Sequence, residues 1–141
     1  MAWRRKDSQH SGIGCKMPEF SSAWNASKKP RKQRKYRIDA PLHVKQKLVH
    51  ASLSKDLRKK YGKRSISLRK GDKVRVIAGK FRKHEGKIEG INLNKSRALV
   101  NGVEITKIDG TKKMLAIHPS NIMIIELNLD DKFRQKILER K

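Results

Sequence analysis

The sequence predicts a mainly β fold, a small closed barrel with an extended basic N-terminal arm, two short helices before the barrel and one helix after it. Three observations point there. From Lys73 the hydrophobic residues take a period of two, and short strand-like runs separated by glycine turns follow. Only 35% of the 141 residues are hydrophobic and 5% aromatic, so a core can fill only part of the chain. Charge is also uneven. Residues 1–64 hold 19 basic and 4 acidic residues, net +15, whereas 65–127 hold 13 and 6, net +7, and 128–141 hold 5 and 3, net +2.

Residues 1–38 read as the arm. Residues 1–27 mix Ser, Gly and scattered apolar residues without periodicity, and 28–37 place seven basic residues in ten with no acid. Such a segment buries too little apolar surface to offset the entropy of ordering, so it is expected to be disordered until bound to a partner. Residues 39–64 read as two helices. Pro41 suits the first turn of one running to about His50, with Asp39 as a cap candidate and Val44 and Leu48 on one face. Ser54 is a favourable N-cap for the second and Gly62 a favourable residue beyond its end, with Leu53, Leu57 and Tyr61 forming an apolar stripe.

Residues 65–127 read as the barrel. Val74, Val76 and Ala78 alternate with Lys73 and Arg75, Gly79 and Gly86 bracket a basic loop, and Ile88–Leu93 is a second strand. Ala98–Val100 is a third, closed by the tight-turn pair Asn101-Gly102, and 103–108 and 111–117 flank a hairpin at Asp109-Gly110. Residues 122–125 make a last strand after Pro119. Closure into a barrel removes the exposed edges that so little core could not protect. Residues 128–141 read as a helix from Asp130, with Phe133 and Ile137 on its apolar face.

A net charge of +24 and a pI near 10.7 call for a polyanionic partner. There is no apolar run long enough to span a bilayer and no apolar stretch near Met1 for a secretory signal, and the most basic segment lacks an apolar face, so no membrane partner is expected. Cys15 is the single cysteine, which excludes an internal disulfide and fits a reducing compartment. His10 and Cys15 are the only close pair of soft ligands, too few for a metal site, and no cofactor is expected. Acidic residues are dispersed beside Lys or Arg, Cys15 has no positioned base, and no phosphate-binding glycine loop occurs, so no enzymatic activity is expected.

The stretch 70–94, KGDKVRVIAGKFRKHEGKIEGINLN, resembles the KOW motif, a strand-loop-strand unit of SH3-like barrels in ribosomal proteins and transcription elongation factors. Gly71-Asp72 opens its first strand, Gly79 begins its loop, and Gly86 matches its most characteristic glycine, read as a backbone turn of positive φ. Lys83 stands where most such motifs carry a second loop glycine. Its flanks are more specific. Leu53-Ser54-Lys55-Asp56-Leu57-Arg58-Lys59-Lys60-Tyr61, Arg64-Ser65, Arg69-Lys70-Gly71-Asp72, Pro41-Leu42-His43-Val44, Ile117-His118-Pro119-Ser120-Asn121 and Leu129-Asp130-Asp131 resemble the large-subunit ribosomal protein twenty-four family, archaeal and eukaryotic type, over residues 28–139. The resemblance implies a structural constituent of the large ribosomal subunit in the cytoplasm. It implies direct binding to large-subunit rRNA early in assembly, neighbouring large-subunit proteins as partners, a place near the nascent-chain exit, and no homo-oligomer.

Lys28, Lys29, Arg31, Lys32, Arg34, Lys35 and Arg37 are the first candidates for RNA contact, with Arg64, Arg69, Lys70, Arg75, Lys80, Arg82 and Lys83 from the barrel. Arginine can fork across two phosphate oxygens, whereas lysine supplies a point charge. Tyr36 could stack on a base, while Tyr61 is expected to pack against Leu57 and His118 to sit in a turn. Taken alone, the 28–37 run also fits a solvated face or a nuclear-localisation signal. A transcription elongation factor would show an acidic domain ahead of the barrel, and a chromatin-like DNA-binding protein would need only the charge. Met17 precedes the resembling region and is an alternative start to Met1.

Overall fold

The computed structural model describes residues 20–140; the chain divides into two units, Met1–Asp39 and Ala40–Lys141, each described over its part of that range. The expectations placed on Met17, His10 and Cys15 lie outside the described residues.

In the first unit a 3-10 turn, Ser22–Ala26, precedes helix α1, Pro30–Asp39. Pro30 presets the φ of the first turn, and Lys, Arg and Gln lose little rotamer freedom in a helix. Gln33 Nε2 donates to the carbonyls of Asn25 and Ser27, both at 2.8 Å, tying the turn back to α1. The ring centroids of Phe20 and Tyr36 lie 5.1 Å apart, those of Phe20 and Trp24 6.3 Å, and Lys35 Nζ lies 5.2 Å from the Trp24 centroid. This corrects the expectation of an extended run over the described part of 1–38. Apolar residues with no sequence period still meet when a turn folds them onto a helix face, and α1 is about 15 Å long where ten extended residues would span about 33 Å.

In the second unit the order is α2 (Leu42–Leu48), β1 (His50–Leu53), α3 (Lys55–Tyr61), β2 (Ser65–Ser67), β3 (Lys73–Val76), β4 (Glu85–Asn92), β5 (Arg97–Thr106), β6 (Lys112–Ile117), a 3-10 turn (Pro119–Asn121), β7 (Ile122–Glu126) and α4 (Lys132–Glu139). The strands form one sheet in the order β2-β1-β7-β3-β4-β5-β6. β1 runs parallel to β7, with Ser52 opposite Met123, and every other pairing is antiparallel. Ile66, Leu53, Ile124, Val74, Ile88, Val100 and Ile117 belong to a single buried cluster, so all seven strands contribute to one core and the sheet wraps it in a barrel-like manner. Full burial of one such side chain is worth roughly 1.5–3 kcal/mol. Ser54 caps α3, its Oγ accepting from Leu57 N, and Gly62 ends that helix in the left-handed region at φ 64°.

Four expectations need correction. His50, expected to end the first helix, and Leu53, expected on the stripe of the second, belong to strand β1, which like β2 is too short to display a period. Asn101-Gly102 does not close a hairpin. β5 runs through it, and its register with β6 shifts between Leu99 and Glu104, with Gly102 at φ 79°. A glycine-type bulge and a primed hairpin turn both need positive φ, so the dipeptide fits either. Gly86 has no positive φ; it lies in β4 opposite Val74, and a Cβ there would sit 2.5 Å from the Asn101 carbonyl oxygen and 3.0 Å from Val100 Cγ1. Its side chain is excluded by close strand approach rather than by dihedral angle. Lastly, α4 turns Arg134 and Leu138 inward and leaves Phe133 75% exposed.

The last point has a polar cause. Asp72 and Arg134 are both buried, and Arg134 Nη1 and Nη2 donate to Asp72 Oδ1 and Oδ2 at 2.6 and 2.8 Å. The guanidinium also donates to the carbonyls of Asn128 (2.9 Å) and Ser67 (3.2 Å), while the carboxylate accepts from Arg69 N (2.9 Å) and Asn128 N (3.0 Å). One carboxylate thereby joins the β2–β3 connection, the end of β7 and α4.

Candidate nucleic-acid interface

The first group of basic candidates is carried by α1 and the residues just ahead of it. Arg31, Lys32, Arg34 and Arg37 are exposed on α1, and Lys28 and Lys29 are exposed before its first turn. Lys35 is half-buried against Trp24. None of the seven has an acidic partner among the described residues. Arg31 and Arg34, Lys32 and Lys35, and Arg34 and Arg37 lie three apart on the helix and repel one another by a few tenths of a kcal/mol per pair. Tyr36 packs on Phe20 and does not stand free for a base.

The second group is set by β3, the loop 77–84 and β4. The loop closes with Lys83 N donating to the Val76 carbonyl at 2.9 Å, and Lys83 itself sits at φ 72° where the resembling motif has glycine. Lys80, Arg82 and Lys83 are all exposed on this loop, and Arg64 and Lys70 are exposed elsewhere in the unit. His84 pins the loop to β5, its Nε2 lying 2.9 Å from the Asn101 carbonyl oxygen. Two candidates are already engaged. Arg75 forks onto Glu85, its cross-strand partner, with Nε 2.7 Å from Oε1, and Arg69 pairs with Asp131. Exposed pairs of this kind are worth about 0–1 kcal/mol, so a phosphate can displace the acid. Lys73 is held by Glu126 at 2.9 Å, and that hydrogen bond raises its pKa above the ordinary lysine value.

Sequence reasoning missed a third group. Lys95, Arg97, Lys107 and Lys113 surround a cleft of about 480 Å³ between β5 and β6, floored by Ile105, Met114 and Leu115. The only sequence signal was Lys107 and Lys113 flanking the Asp109-Gly110 turn, and their convergence depends on the β5–β6 register, which pairs Ile105 with Lys113. Tyr61 packs against the core and His118 caps the 3-10 turn, its Nδ1 accepting from Ser120 N at 3.3 Å. Among the described residues no three His, Cys, Asp or Glu are grouped to hold a metal, and no helix is long and apolar enough to cross a membrane.

Over residues 27–141 the chain matches the family model that describes the eukaryotic L26 and archaeal L24 ribosomal proteins. It is similar to the large ribosomal subunit protein uL24 of Methanothrix thermoacetophila, 48% identical over 114 residues, covering 81% of this chain and 98% of that protein. The uL24 protein of Methanosphaera stadtmanae is 46% identical over 115 residues, covering 82% and 98%. The match takes in α1 and the whole of the second unit, and stops short of Phe20 and Trp24. The chain belongs to the family of eukaryotic L26 and archaeal L24 ribosomal proteins.

Proposed function

We propose that this chain is a structural constituent of the large ribosomal subunit that binds large-subunit rRNA directly, chiefly through residues 28–37 and secondarily through the 77–84 loop with Arg64, Arg69, Lys70 and Arg75. Membership of a ribosomal protein family makes it a non-enzymatic ribonucleoprotein component of translation, in the ribosome of the cytoplasm. The division into a basic segment 1–38, a helical segment 39–64, a KOW-type SH3-like barrel over 65–127 and a C-terminal segment 128–141 belongs to the same proposal. So do early assembly, contact with neighbouring large-subunit proteins and a place near the nascent-chain exit, all of which rest on the family resemblance.

One observation carries the reading: four of the five cations of α1 are exposed, and all five lack acidic partners among the described residues. A helix of ten residues is marginal in water, and like charges three and four apart weaken it further. Phosphates remove that repulsion, so binding and helix formation reinforce one another. Counterion release supplies the test. If the segment neutralises about five phosphates of single-stranded character, deleting 1–37 flattens the slope of log K against log salt by roughly 3.5 in binding to large-subunit rRNA. An unchanged slope refutes the assignment.

A further inference from the structure

Two neighbouring clefts in the unit Ala40–Lys141 hold, beside cations already named, apolar linings that phosphate contacts do not use. The first, about 520 Å³, has an apolar floor of Leu68, Ile91 and Leu93 and the amide of Asn128 on its wall. The second, about 490 Å³, is floored by Ile91, Leu93 and Leu99 and edged by Asn92 and Asn94. Lys70, Ile91 and Leu93 line both, so Lys70 marks their boundary. Lys70 is exposed and has no acidic partner among the described residues, whereas Arg69, on the wall of the first cleft, is held by Asp131.

A nucleobase has an apolar face and an edge of donors and acceptors, and each cleft has the matching shape, an apolar floor with amides beside it. Asn128 Oδ1 is occupied by Asp130 N at 3.0 Å, which leaves its Nδ2 to donate to a ligand. The exposed Asp130 carboxylate also lines the first cleft, where it would repel a phosphate and accept from an exocyclic amine. The remaining free cation at the boundary is Lys70. We propose that the two clefts hold two successive unstacked nucleotides of a single-stranded RNA segment, one base on each side of Lys70, whose ammonium meets the phosphate that joins them. The inference rests on the reading of the chain as an RNA-binding protein and adds to it a site for bases, distinct from contacts with phosphates alone.

Gly90 gives the means to close the second cleft. It lacks positive φ, and a Cβ there would meet only Leu99 Cδ1, at 3.5 Å, so a larger side chain enters the cleft without backbone strain. The probe is a short single-stranded RNA carrying two adjacent 2-aminopurines, whose fluorescence rises on unstacking, with an RNA duplex of equal length for comparison. The full chain is expected to brighten the single strand on binding. Gly90→Leu is expected to cut the brightening roughly in half and to lower the ratio of single-strand to duplex affinity roughly five- to tenfold, the loss of one of the two bound bases. Lys70→Gln, a change at an exposed residue, is expected to weaken single-strand binding several-fold and carries the test if Gly90→Leu does not fold. Wild-type brightening and affinity in both folded variants would overturn the inference. So would binding of large-subunit rRNA by the wild type with no brightening of the probe. A wild type that binds neither rRNA nor the single strand overturns the RNA reading itself.

Discussion

Replacing Asp72 with alanine should be among the most damaging single changes outside the apolar core. Four hydrogen bonds end on its carboxylate: two from the Arg134 guanidinium and one each from the Arg69 and Asn128 backbone amides. Removal leaves a guanidinium that is 1% exposed without its counter-charge, a situation that typically costs about 3–5 kcal/mol. Each stranded amide adds about 1–3 kcal/mol if water cannot reach it. The protein has one escape. Arg134 is on the C-terminal α4, which can leave the sheet and carry the charge into water, giving up the burial of Leu138, worth about 1.5–3 kcal/mol, together with the carbonyl contacts of Asn128 and Ser67. The observed loss is therefore capped by the free energy of docking α4. We expect about 3–4 kcal/mol, a large fraction of the about 5–15 kcal/mol of a domain this size and a fall in Tm of about 15 °C or more. Urea unfolding measures the loss, and amide exchange in 132–139 shows whether α4 has left. Arg134→Met should cost less, because the carboxylate keeps its two backbone donors. A loss below about 1 kcal/mol for Asp72→Ala with α4 still protected from exchange would refute the reasoning, since the pair would then be replaceable at no net cost.

Three further outcomes are expected. Gly86→Ala should lose about 1–3 kcal/mol in chemical denaturation, because the new methyl meets backbone at Asn101, which cannot rotate away, and Gly86→Val should lose more. Lys83→Gly should gain about 0.5–1 kcal/mol by relieving the left-handed φ of a non-glycine residue, net of the added freedom of the unfolded chain, while lowering the salt slope of rRNA binding by about 0.7–0.9. Tyr36→Ala removes the ring packed on Phe20, so amide exchange in 30–39 should accelerate several-fold while the sheet amides keep their protection.

The strands of the barrel-like sheet were legible because alternation survives wherever one face is buried. Val74 and Val76 point inward with Arg75 outward, and the Asp109-Gly110 turn forms as expected, Lys107 N donating to the Thr111 carbonyl at 2.9 Å. What the pattern could not show is pairing across long separations. β1 is four residues long and gains its place from a parallel partner some seventy residues later, Ser52 beside Met123. α4 forms as expected, but the face it buries was hidden for a different reason. Phe133 and Ile137 look like the buried face to any hydrophobicity scale, yet the helix is rotated by an ion pair between residues 62 apart. A buried charge whose partner lies on another element leaves no local trace.

The candidate interface divides along the same line. Sequence identifies cations, but availability depends on what each one faces after folding. Arg75 and Arg34 are indistinguishable as letters. In the folded chain Arg75 has Glu85 directly across the β3–β4 ladder, whereas Arg34 sits on a helix whose single acid, Asp39, lies five residues on. Phosphate binding at Arg75 must displace a carboxylate, and at Arg34 only water. The two arginines should therefore differ in more than affinity: Glu85→Gln would strengthen rRNA binding through Arg75, while among the described residues no acidic side chain pairs with Arg34 to be removed. By the same comparison Lys80, Arg82 and Lys83 of the 77–84 loop, which like the α1 cations have no acidic partner among the described residues, are open to a phosphate, whereas Lys73 must first leave Glu126.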